Sequence, residues 1–221
     1  MLCYEVTAQG QAIPKAQIKH DQPVLCSAWN HDGSAVFSGG CDNQVKKWDL
    51  ATNQPTQVAQ HDAPVRHLAW IPDVNLLVTG SWDKTLKYWD TRQPSPAMQV
   101  QLPERCYALS CVYPLLVVGT AERHIQVYNL SSNPQAPYKT VQSPLKYQTR
   151  CVAAFPNKQG YLVGSIEGRV AVNHVEDSLA GGLLRTTTRP TLNLLLLLRA
   201  CVSNHPEGKS GSDLGSGACW Q

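Results

Sequence analysis

The sequence predicts an all-β chain: an incomplete β-propeller of about four blades. Three observations carry this. Shifted by 41 residues, His20 to Asp49 (HDQPVLCSAWNHDGSAVFSGGCDNQVKKWD) falls without a gap on His61 to Asp90 (HDAPVRHLAWIPDVNLLVTGSWDKTLKYWD), with 12 of 30 positions identical. A period of about 40–45 residues, with histidine near its start and Trp-Asp at its close, is that of a four-stranded propeller blade. Proline and glycine, 15 of each among 221 residues, cluster between short apolar runs, and no long run has helical periodicity.

The strands follow in order. Cys3 to Val6 (CYEV) reads as the end of an earlier blade, with Tyr4-Glu5 lying 44 residues before Trp48-Asp49, so the chain is expected to start inside a blade. Inner strands are expected near 24–30, 65–70, 106–112 and 150–155, and second strands near 34–39, 75–80, 115–120 and 160–165. Third strands fall near 44–48, 85–89, 124–128 and 169–174, and weaker outer strands near 56–60, 97–101 and 138–142. The third and fourth blades are degenerate. VVGTAERHIQVYNL (Val117 to Leu130) keeps a turn acid as Glu122 but ends on Tyr128-Asn129; LVGSIEGRVAVNHV (Leu162 to Val175) keeps Glu167 but ends on Asn173-His174.

The repeat resembles the WD-repeat family, whose members carry a hydrogen-bonded chain through each blade. His20, Ser38, Asp42 and Trp48 recur at identical intervals as His61, Thr79, Asp83 and Trp89. The aspartate occupies the turn where apolar alternation stops and restarts, and the resemblance links it through histidine and hydroxyl to the indole N–H. A semi-buried carboxylate and indole need such partners. Trp82 aligns with Cys41 and is read as packing or surface particular to its blade. His20, Ser38 and Asp42 also offer the residue types of a hydrolytic triad, but a triad is made once, with an oxyanion site beside it, whereas this set is made twice. The third and fourth blades lack a histidine at the matching offset and are expected to lack the network.

Composition narrows the rest. A net charge of +3 is too mild to argue nucleic-acid binding by itself. Eight cysteines without a C-x-x-C argue for reduced thiols rather than zinc. No phosphate-binding glycine loop, H-E-x-x-H or convincing nucleophile constellation occurs, so the reading is non-enzymatic, with no cofactor and no metal. No basic-then-apolar signal peptide opens the chain. The domain reading is a partial propeller over 1–175 and a non-homologous, disordered or aberrant tail over 176–221. The tail's apolar run, Leu192 to Leu198, is interrupted by Asn193 and far shorter than the ~20 residues of a spanning helix, so no membrane insertion is expected.

Four strings lie outside the generic repeat positions: QAIPKAQ (Gln11 to Gln17), LPERCY (Leu102 to Tyr107), SPLKYQTRCVAAF (Ser143 to Phe155) and SIEGRVAV (Ser165 to Val172). They resemble the WD-repeat nuclear-pore mRNA export factor family from about Cys3 to Val175. The resemblance implies a ring of about seven blades, of which four and a fragment are present. It also implies a scaffold at the nuclear envelope and pore, and in the cytoplasm. Such a scaffold binds an acidic-apolar segment of a phenylalanine-glycine-repeat nucleoporin, associates with RNA or ribonucleoprotein, and supports poly(A) RNA export. Arg169, with Glu167 beside it in the turn, is assigned to the nucleoporin contact. An alternative comes from Tyr88 to Arg92 (YWDTR), which matches the Trp-Asp-x-Arg box that docks a cullin-RING ubiquitin-ligase adaptor through Arg92. Against it stands the simpler reading, in which Arg92 merely caps the blade exit or pairs with a neighbouring acid.

Overall fold

The computed structural model describes residues 1–176; the tail reading and the Leu192 to Leu198 run lie outside these residues. Seventeen strands form five antiparallel sheets among them. A two-stranded sheet, β1 (Leu2–Val6) and β2 (Ala12–Gln17), precedes the first blade. Blade 1 runs β3 (Val24–Trp29), β4 (Ala35–Gly40), β5 (Gln44–Asp49) and β6 (Gln54–Gln60). Blade 2 runs β7 (Val65–Ile71), β8 (Leu76–Ser81), β9 (Thr85–Trp89) and β10 (Met98–Gln101). Blade 3 runs β11 (Cys106–Val112), β12 (Leu115–Thr120), β13 (His124–Asn129) and β14 (Lys139–Gln142). Blade 4 has three described strands, β15 (Thr149–Ala154), β16 (Gly160–Ser165) and β17 (Val170–His174). The inner strands β3, β7, β11 and β15 stand side by side, so the blades fan out along an arc.

The core lies between blades rather than within one. Phe37, Val45 and Cys26 of blade 1 pack on Val65, Leu68, Leu77 and Trp89 of blade 2. Val78, Leu86 and Tyr88 from the other face of blade 2 meet Leu102, Cys106, Leu109 and Tyr128 of blade 3. Blades 3 and 4 repeat the arrangement with Val117, Ile125 and Val127 against Val152, Tyr161 and Val163. A strand covered on both faces has no reason to alternate, which is why AVFSGG and LLVVGT read as unbroken runs and are buried at every residue. Glycines set the spacing. A Cβ on Gly39 would lie 2.9 Å from Val65 Cγ1, on Gly80 2.4 Å from Cys106 Sγ, and on Gly119 3.0 Å from Thr149 Cγ2. Each of these second strands thus presents bare backbone to the inner strand of the next blade.

β2 is the strand that apolar patterning does not announce. Nearly all of it is exposed and Pro14 interrupts it, which only an edge strand tolerates. It pairs with β1, and Ile18 beyond it joins Val36 and Trp48 in a small core that also holds Cys3 and Ala16. The second-to-third-strand turns share one feature in all four blades: the residue after the turn acid takes a left-handed conformation, at Asn43, Lys84, Arg123 and Gly168 (φ 62°, 64°, 65° and 80°), and in blade 3 the acid Glu122 does so as well (φ 58°).

Candidate functional site

The repeated polar residues come together in blade 2 as one chain of hydrogen bonds. Asp83 Oδ2 bonds His61 Nδ1 at 2.8 Å, His61 Nε2 lies 2.7 Å from Thr79 Oγ1, and Trp89 Nε1 donates to Thr79 Oγ1 at 2.9 Å. Thr85 tightens the turn, its amide and hydroxyl both donating to Asp83 Oδ1, and the Asp62 amide donates to Oδ2. Burial alone would raise the Asp83 pKa. Hydrogen bonds from His61 and Thr85, the His61 charge and the Asp62 amide outweigh it and hold the carboxyl well below the usual range. The sign follows: a depressed carboxyl stabilises the fold fully above its ordinary value of 3.8 and loses that contribution as pH falls through and below it. Asp83→Asn is accordingly expected to flatten the acid limb of a stability-against-pH curve, and an unchanged limb would contradict this.

Blade 1 departs from its expected copy. His20 Nδ1 lies 2.8 Å from Asp42 Oδ2 and His20 Nε2 2.8 Å from Ser38 Oγ, but Trp48 Nε1 donates to Asn53 Oδ1 at 3.0 Å, not to Ser38. The expected indole link is corrected by the loop: five residues after Trp48 stands Asn53 in the left-handed region, whereas five after Trp89 stands Pro94, which has no acceptor side chain. The Asp42–His20–Ser38 line has the order of a hydrolytic triad. Ser38, however, is 0% exposed, so no substrate reaches its hydroxyl, and the set braces a blade. In blade 3 the apolar Leu102 donates its amide to Lys84 as His61 donates to Asn43, and it is buried where a histidine would need partners.

The residues assigned to partners lie on two different loops. Arg169 follows Gly168 at the β16–β17 turn, with 51% of its side chain exposed and Glu167 Oε2 3.7 Å from its Nε. Arg92, 81% exposed, closes both arms on Asp90, Nε to Oδ1 at 2.8 Å and Nη2 to Oδ2 at 2.6 Å. That fork holds the Asp90 carboxyl down to about 2. Burial pushes the Cys26 and Cys106 thiols up to about 12, and no group of three or more His, Cys, Asp or Glu among the described residues could hold a metal ion. No helix among them is long and apolar enough to cross a membrane.

Sequence patterning missed a further feature on the same side as the β16–β17 turn, where the Ile166 amide bonds the Gln148 carbonyl. There, Arg66, Trp82, Arg105, Tyr107, Gln148, Thr149 and Arg150 surround a cleft of about 180 Å³. Trp82, read as packing or surface, is one of its walls. The only sequence signal was the 41-residue interval from Leu25 to Arg66 to Tyr107, hidden because the residue type changes each time.

Residues 14–49 and 53–90 match the WD domain, G-beta repeat family, and these are the blades that carry the histidine network. Protein RAE1 of Arabidopsis thaliana is 65% identical over 180 residues, covering 80% of this chain and 51% of that protein. The mRNA export factors of Danio rerio and Mus musculus are 51% and 52% identical over 179 residues, covering 78% of this chain and 48% of each of theirs. The chain carries two WD repeats and, over about four fifths of its length, is similar to proteins named RAE1 and mRNA export factor. It spans about half the length of the curated relatives it matches. Within this mRNA export factor relative, the polar residues that repeat are buried braces, while the cationic residues that differ from blade to blade are the ones left at the surface.

Proposed function

We propose that the chain acts as a non-enzymatic docking scaffold in poly(A) RNA export at the nuclear pore, binding an acidic-apolar segment of a phenylalanine-glycine-repeat nucleoporin and associating with RNA. The relatives' names support the process, and Arg169 supports the nucleoporin contact. Its guanidinium stands at a turn with one long ion pair, to Glu167 at 3.7 Å, and Gly168 before it puts no side chain in the way. Arginine's planar fork suits a partner's carboxylates, and Glu167 approaches it only at Nε, at 3.7 Å. The ligase-adaptor alternative has less support, because both arms of Arg92 are engaged by Asp90.

Calorimetric titration with the nucleoporin peptide tests the assignment. Arg169→Glu is expected to weaken binding about tenfold, as for a reversed charge at an exposed rim, while Arg92→Ala leaves it unchanged. Unaltered affinity in Arg169→Glu removes that residue from the contact. A ligase adaptor captured by the parent chain but not by Arg92→Ala would favour the alternative.

A further inference from the structure

The inner strands share a device that the repeat alignment conceals. In each, the ladder slips by one residue near the strand's start, and the residues at the slip are Leu25, Arg66, Tyr107 and Arg150. A bulge leaves its extra residue outside the pairing and re-aims the side chain. Three successive blades thereby deliver Arg66, Tyr107 and Arg150 to the wall of one cleft, where Arg105 and Trp82 join them.

The chemistry of this wall is one-sided. It holds three guanidiniums and no carboxylate, and none of the three arginines forms an ion pair with a described residue. The Arg66 side chain has a single long bond, 3.4 Å to the Leu25 carbonyl. Two wall residues carry further buried polar atoms without a partner, the indole Nε1 of Trp82 and the Thr149 hydroxyl. Walls rich in positive donors call for an anionic, acceptor-rich occupant. At about 180 Å³ the cleft has room for a phosphate and its sugar. The half-buried Trp82 and Tyr107 add ring surface beside the charge. Guanidinium next to aromatic is the combination that holds single-stranded nucleic acid, with phosphate on charge and base on ring. A peptide that is acidic alone would meet the arginines and leave the rings unused.

We infer that this cleft seats the backbone of single-stranded RNA, with a phosphodiester among Arg66, Arg105 and Arg150 and a base against Tyr107 or Trp82. The inference rests on the RNA association proposed above and gives it a location.

Fluorescence anisotropy of a labelled short oligoadenylate, titrated with the full chain over a series of salt concentrations, tests it. Arg105→Glu and Arg150→Glu, both at exposed residues, are each expected to weaken binding about tenfold and to make the salt slope shallower by roughly 0.7–1 for each phosphate no longer neutralised. Tyr107→Leu is expected to weaken binding at least fivefold by removing the stacked ring while leaving the salt slope unchanged, a pattern that a merely structural role would not give. Polyglutamate of equal charge is expected to displace the RNA poorly. Full affinity in both arginine variants, or displacement by polyglutamate as effective as by unlabelled RNA, overturns the cleft assignment. Absence of binding by the parent chain overturns the RNA association itself, and the nucleoporin titration on the same variants reads the docking proposal separately.

Discussion

Asp83→Ala is expected to lower the unfolding free energy by roughly 3 kcal/mol, the upper end of the range for orphaning buried polar partners. The reason is the number of donors that converge on one carboxylate. His61, the amides of Asp62 and Thr85 and the Thr85 hydroxyl all lose their acceptor together. His61→Ala removes the middle of the chain and should cost about 1–3 kcal/mol, because Asp83 and the Thr79 hydroxyl both lose a buried partner. Asp42→Ala should cost less than Asp83→Ala: its turn has Gln44 in place of Thr85, and the Gln44 amide reaches it only at 3.3 Å. His124→Ala should be nearly neutral, since the ring Nδ1 has no partner to lose. Urea titration of the four variants checks the ordering, and equal losses throughout would refute the network as a source of stability.

The same network shows what the sequence could and could not disclose. His61, Thr79, Asp83 and Trp89 were legible because the chain writes the set twice at one spacing, and chance does not preserve three intervals across 41 residues. Strand positions were legible within a residue or two because turn acids and apolar runs punctuate each blade. Trp48 was misassigned because an indole takes whichever acceptor is nearest, and that choice depends on a loop residue, Asn53, outside the repeating set. β2 escaped because an exposed edge strand carries little hydrophobic signal. The cleft escaped for a different reason. Arg66, Tyr107 and Arg150 come from three blades, and only the ladder slips bring them to one wall. Repetition in the sequence reports what all blades need, which is bracing; recognition depends on where blades differ, and there a self-alignment falls silent.

Gly80→Ala is expected to destabilise the chain by about 1–3 kcal/mol through overpacking, although alanine suits a strand at least as well as glycine. The added methyl would sit 2.4 Å from Cys106 Sγ and 3.1 Å from Cys106 Cβ, and the far side of that thiol is held in the Val78, Leu109 and Tyr128 core. Neither strand can yield alone, because β8 and β11 are each fixed by their own ladders. The loss should therefore appear as weakened docking of blade 2 on blade 3, not as a local fraying. Removing the obstructing atom separates this from any effect of the glycine itself. Cys106→Ala alone should cost about 1 kcal/mol or more for the vacated space, but in the Gly80→Ala background it should recover part of the loss, giving a favourable coupling of at least about 0.5 kcal/mol between the two sites. Additive losses in the double mutant would show that the approach of Cys106 is not what demands glycine at position 80, and that the blades are spaced by some other part of their interface.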